Sequence, residues 1–149
     1  MKNITRKAEA DWKGSLEQGH GLLTTESRVL VKQEFSFSKR TSQGDHTHTN
    51  PEELIAAGLA SCFSMALSGT LGKHGMTAEQ LVVTAGVILS LTDDGPVVDT
   101  LQLDVAGMVE GHSEEEFRKA VEETQKSCPI YKLLEPGFKD IEVNVTLNN

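Results

Sequence analysis

The 149-residue sequence predicts an α+β fold with mainly antiparallel strands, and three stretches carry that prediction. From Pro51 to about Lys73 small and apolar residues follow a strong helix-start signal. Two β-branched runs, Leu81 to Leu91 and Val97 to Val109, flank Asp93-Asp94-Gly95-Pro96 in the manner of a long hairpin. Ser113 and Glu116 open a second helix with a capping box, and Ile141 to Leu147 alternates as a final strand.

Taken in chain order, Ala8 to Lys13 alternates small or apolar with polar side chains, and Gly14 to Gly21 is rich in turn formers before Leu22-Leu23-Thr24-Thr25. An opening antiparallel hairpin or meander follows from that pattern. Glu34 to Arg40 has a period of two with Phe35 and Phe37 on one face, which predicts a strand running into the polar loop Thr41 to Thr49. Asn50 can cap the first long helix, Pro51 suits its first position, and Glu53 supplies the capping-box carboxylate. Gly75, after His74, suits a left-handed C-terminal residue. The alanine, glycine and serine content of this helix favours close packing against another helix or backbone. In the second helix Phe117, Ala120, Val121 and Thr124 recur at helical spacing up to Cys128, where Pro129 stops or bends the chain before a short turn over Ile130 to Leu134. No repeat, low-complexity tract or linker interrupts residues 1–149, so one domain is expected.

Lysine and arginine total 14 against 22 acidic residues, and the formal charge of −8 gives nucleic acid and anionic membrane no general attraction. The N-terminus, Met1 to Lys7, is not followed by an uninterrupted apolar stretch, so neither a secretory signal nor a membrane span is predicted there. A soluble cytoplasmic protein is expected. In that reducing compartment a cysteine pair means transient redox chemistry, metal binding or two inert thiols.

Cys62 and Cys128 are the only cysteines. A nucleophilic cysteine must be available as thiolate, and an ordinary thiol, with a pKa of about 8.5, needs help. Cys62 lies about 18 Å along its own helix from Asn50, too far for the N-terminal dipole to act. A cation must come from elsewhere, and Arg40, entering the polar loop, can supply a fixed positive charge. Glu52 or Glu53 in the first helical turn can hold that guanidinium, although about 15 Å of helix separates Glu52 from Cys62. A long reach, a bend or a second subunit is then required. The plainer alternatives are that Cys62 is a small core residue, Arg40 a solvated charge, Glu52 and Glu53 helix-start residues, and Cys128 a helix end. His46 and His48 lack the cysteine or carboxylate partners of a zinc site and read as exposed loop histidines. The glycines match no phosphate-binding loop or dinucleotide fingerprint, and no serine sits in a nucleophile elbow.

The joint pattern of Thr49-Asn50-Pro51-Glu52-Glu53-Leu54-Ile55, Cys62-Phe63-Ser64-Met65-Ala66-Leu67 and Cys128-Pro129 closely resembles the osmotically inducible protein C and organic hydroperoxide resistance (OsmC/Ohr) family, on the osmotically inducible side. The resemblance runs from Ala10-Asp11-Trp12-Lys13-Gly14 through Thr24-Thr25-Glu26-Ser27 to the last strand, nearly the whole chain. It implies an OsmC-like fold in an intertwined homodimer, with two interfacial sites and the Cys62 helices at its centre. It also implies a cysteine-based peroxidase without metal, haem, flavin or other cofactor. In the matching motifs Cys62 corresponds to the peroxidatic cysteine, Cys128 to the resolving cysteine, Arg40 to the activating arginine, and Glu52, rather than Glu53, to its carboxylate partner. The implied cycle runs from a Cys62 sulfenic acid to a Cys62–Cys128 disulfide, recycled by an external dithiol such as a lipoyl-bearing protein. Organic hydroperoxides are the implied substrates, with Phe63, Met65 and Phe35 or Phe37 as candidate walls. The Thr41–Thr49 loop is longer than the family pattern leads one to expect. The competing functions are a non-enzymatic dimeric small-ligand-binding protein of the same fold and, less favoured because no motif places a histidine beside Cys62, a thiol hydrolase.

Overall fold

The computed structural model describes residues 1–44 and 46–148. They form two compact units, Met1–Pro51 and Glu52–Asn149.

In the first unit β1 (Ala8–Lys13), β2 (His20–Thr25) and β3 (Gln33–Phe35) form an antiparallel sheet in that order, followed by a short helix α1 (Phe37–Arg40). The β1–β2 hairpin is the one its alternation predicts. Register puts Trp12 opposite Gly21 and Gly21 opposite Phe35, so these three form one row across the sheet, on one face. The predicted strand over Glu34 to Arg40 is corrected: it ends at Phe35, and Arg40 closes a helical turn. The cause is Ser36, whose extended backbone (φ −153°, ψ 161°) and hydroxyl, accepting from Lys39 N at 3.3 Å, cap α1. A serine cap overrides the two-residue period because it satisfies a backbone donor that continued strand would leave to water.

In the second unit β4 (Gln80–Thr92) and β5 (Gly95–Met108) make the predicted long hairpin, with a bulge between Ile88 and Leu89. The last strand, β6 (Asp140–Leu147), lies parallel to β5, giving the order β4-β5-β6. Between β5 and β6 run α3 (Glu114–Ser127), α4 (Pro129–Leu134) and a single 3-10 turn (Glu135–Gly137). A parallel pair needs such a crossover. Ser113 caps α3 as predicted: its hydroxyl accepts from Glu116 N at 3.3 Å, while Glu116 Oε2 accepts from Ser113 N at 2.8 Å.

The long helix α2 (Pro51–Lys73) begins and ends where the sequence predicts. Its C-terminus is closed by Gly75 at φ 72°, with Met76 N donating to Leu71 O at 2.9 Å and Gly75 N to Gly72 O at 3.1 Å. That is a Schellman arrangement, and its accompanying apolar pair, Leu71 and Met76, is buried. Leu59, Phe63, Leu67 and Leu71 recur every four residues and are fully buried in one core with Leu101, Leu103 and Val105 of β5 and Phe117 and Val121 of α3. Each such side chain contributes on the order of 1.5–3 kcal/mol by burial. The other side of α2 is equally apolar in composition, but Met65 is 69% exposed and Leu54 and Ile55 are 36% exposed. Among the described residues α2 is the one helix long and apolar enough to cross a membrane by length and composition. Its four-residue burial stripe is equally what a core helix of a soluble protein shows.

Candidate redox site

The structure brings the two cysteines together. Cys62 sits on α2, partly buried, directly before the core residue Phe63. Cys128 is fully buried at the break between α3 and α4, where its N–H still donates to Thr124 O at 2.8 Å and its carbonyl accepts from Lys132 N at 3.0 Å. Its backbone is extended there (φ −66°, ψ 118°), as the following Pro129 favours, so the chain turns at this residue. The two sulfurs are 3.5 Å apart and both thiols are free, with Cys128 placed to donate to Cys62. A disulfide bond is about 2.05 Å long, so closing this pair needs a sulfur shift of roughly 1.5 Å.

Burial pushes the Cys128 thiol above its ordinary range, and the neighbouring Cys62 sulfur adds to the shift; the N–H groups of Tyr131 and Ile130 offset it only in part. Cys128 therefore remains protonated at neutral pH, and the two thiols are unequal in access. A contact absent from the sequence-based expectations steadies the pair: the Phe63 and Tyr131 rings lie 5.9 Å apart at 59°. Gln125 Nε2 donates to the Tyr131 hydroxyl at 2.9 Å. The available signal was that Tyr131, the chain's single tyrosine, falls three residues after Cys128.

Arg40 lines a cavity of about 200 Å³ in the first unit, whose aromatic walls are Trp12, Phe35 and Phe37. The Trp12 and Phe35 rings are 5.7 Å apart and tilted by 40°. Both phenylalanines therefore share a wall, although they come from a strand and a helix rather than one strand. Phe63 and Met65, also expected as wall candidates, are respectively a fully buried core residue and an exposed one. Glu52, in the first turn of α2, is only 8% exposed, whereas Glu53 is exposed. A buried carboxylate requires a compensating partner, which distinguishes Glu52 from its neighbour. Arg40 and Glu52 lie in different compact units.

His46 is exposed, and His48 hydrogen-bonds Thr47 Oγ1 at 2.8 Å with its other ring nitrogen 3.8 Å from Glu34. Among the described residues no group of three or more histidine, cysteine, aspartate or glutamate side chains could hold a metal ion.

Residues 44–147 match the family of OsmC-like proteins. The chain belongs to the OsmC family. Within that family it is 37% identical over 131 residues, 88% of this chain and 90% of the relative, to the peroxiredoxin OsmC of Escherichia coli (strain K12). It is 32% identical over 117 residues to an organic hydroperoxide resistance protein-like 2 from Staphylococcus saprophyticus, covering 78% of this chain and 80% of that one. The crystal structure of an organic hydroperoxide resistance protein OsmC from Legionella pneumophila superposes with a TM-score of 0.70 at 23% identity, over 100% of both chains, and so shares the OsmC fold.

Proposed function

We propose that the protein is a cytoplasmic, thiol-dependent peroxidase that reduces organic hydroperoxides to alcohols. The observation that carries the proposal is the 3.5 Å separation of Cys62 and Cys128, one partly accessible and one buried and protonated. Membership of the OsmC family and the names of its peroxiredoxin and hydroperoxide-resistance relatives support the substrate class.

In the proposed cycle the Cys62 thiolate attacks the terminal oxygen of the hydroperoxide. The O–O bond breaks, the alkoxide takes a proton and leaves as alcohol, and Cys62 becomes a sulfenic acid. Arg40 stabilises the thiolate and the developing alkoxide, held by the buried Glu52. Cys128 then gives up its proton and attacks the sulfenic sulfur, water leaves, and a Cys62–Cys128 disulfide forms. An external dithiol of the dihydrolipoyl kind reduces that disulfide by exchange and is itself oxidised. No cofactor takes part. The whole chain acts as one domain of an intertwined homodimer, in which the outer face of α2, with Met65 at its centre, meets its copy.

The test is consumption of cumene hydroperoxide with a dithiol reductant, which Cys62→Ser should abolish. Turnover unchanged by that substitution would reject the proposal. A non-enzymatic ligand-binding function draws on the aromatic cavity beside Arg40; thiols indifferent to hydroperoxide in the native protein would favour it.

A further inference from the structure

Gly21 occupies the middle of the row Trp12–Gly21–Phe35 across the first sheet. Neighbouring strands lie about 4.8 Å apart, so the backbones of Trp12 and Phe35 are separated by about twice that distance. Their ring centroids are nevertheless 5.7 Å apart. The Phe35 ring closes that gap by leaning over Gly21, where only a glycine leaves room. A Cβ built on Gly21 would lie 2.2 Å from Phe35 Cζ and 2.5 and 2.8 Å from its two Cε atoms. The ring fills the volume that any other side chain would take. Both rings are also walls of the cavity of about 200 Å³ that Arg40 lines.

We infer that Gly21 is a positioning residue that sets the size of this cavity, and with it the bulk of apolar hydroperoxide accepted. A methyl group at position 21 has β2 behind it and the Phe35 ring in front, so the ring must lift off the sheet into the cavity. Small branched substrates still fit the narrowed space freely, whereas aryl substrates enter it less favourably. This inference rests on the peroxidase function proposed above, and it concerns residues remote in sequence from both cysteines.

The experiment compares cumene hydroperoxide with tert-butyl hydroperoxide in wild type, Gly21→Ala, Phe35→Leu and the double variant. Trp12 is the chain's single tryptophan, so its fluorescence also reports binding of the product alcohol 2-phenyl-2-propanol without any turnover. Gly21→Ala should raise KM for the cumene substrate about tenfold, the scale of one methylene-sized change in an apolar pocket, with kcat and the tert-butyl KM nearly unchanged. The alcohol should bind correspondingly more weakly, and adding Phe35→Leu should restore both values by removing the ring the methyl meets. Equal effects on the two substrates, or none, in a folded Gly21→Ala protein would overturn the inference. Should that variant fail to fold, Phe35→Leu alone should relax the discrimination, and unchanged discrimination would overturn it equally. Saturable alcohol binding that Gly21→Ala weakens, in a protein without peroxide turnover, would sink the peroxidase function while supporting the role of Gly21.

Discussion

The ring of Phe63 meets the ring of Tyr131 at 5.9 Å, and this contact flanks both sulfurs, because Phe63 follows Cys62 and Tyr131 comes three residues after Cys128. It ties the middle of α2 to the first turn of α4. Phe63→Ala should therefore cost roughly 3–5 kcal/mol of stability and slow disulfide closure. Tyr131→Phe keeps the ring but removes the Gln125 hydrogen bond, and should cost only about 1 kcal/mol. Denaturant unfolding separates the two, and similar losses would show that the ring contact is not what matters.

Stoichiometric peroxide followed by intact mass should give a loss of two hydrogens in wild type, as the pair closes. Cys128→Ser should instead accumulate Cys62 with one added oxygen, and with two and three as further equivalents of peroxide are added, since nothing intercepts the sulfenic acid. Wild type that also accumulates oxygen adducts on Cys62, without the loss of two hydrogens, would remove Cys128 from the resolving role.

The raised Cys128 thiol makes two linked pH predictions. A folded-state pKa above the unfolded value of about 8.5 means that the native protein holds its proton after the unfolded chain has released it. The resulting stability is fully present below that unfolded value and is lost as pH rises through the folded one. Thermal unfolding should thus fall more steeply above about pH 8.5 in wild type than in Cys128→Ala. Iodoacetamide should label Cys128 in the reduced native protein only at more alkaline pH than a free thiol, and ordinary labelling at pH 8 would contradict this.

The outer face of α2 supplies a test of assembly. Met65 is 69% exposed, and a Cβ at Gly58, Gly69 or Gly72 would meet nothing within 4 Å, so among the described residues nothing covers this apolar surface. Light scattering should report a dimer for wild type and a monomer for Met65→Arg. A wild-type monomer would dispose of the proposed interface.

Ser113→Ala removes one half of the capping box of α3 and should lower stability by about 1 kcal/mol. Ser113→Asp, which keeps an acceptor there, should recover most of it, as urea midpoints will show.

The elements legible in the sequence are those whose signals are local. The Pro51 start and Gly75 stop of α2, the Asp93-Asp94 hairpin and the Ser113 box each depend on neighbours within a few residues, whose backbone groups they satisfy directly. The one element misassigned, Phe37 to Arg40, had two local signals in conflict, a two-residue period and a serine cap, and the cap prevailed. Membership of the OsmC family was likewise readable from short motifs around Asn50, Cys62 and Cys128.

What the sequence by itself determined was therefore the class of fold, the ends of the long helices and the identity of the two thiols. Only the tertiary structure decided that Cys62 and Cys128, 66 positions apart, stand 3.5 Å from each other, and that one of them is buried enough to keep its proton. Only it decided that β6 runs parallel to β5 and that the Phe35 ring closes over Gly21 to meet Trp12. The physical reason is common to all of these. Caps and turns are fixed by bonds that close within one turn of chain, whereas burial, strand partner and ring contact depend on which distant surfaces meet when the core forms.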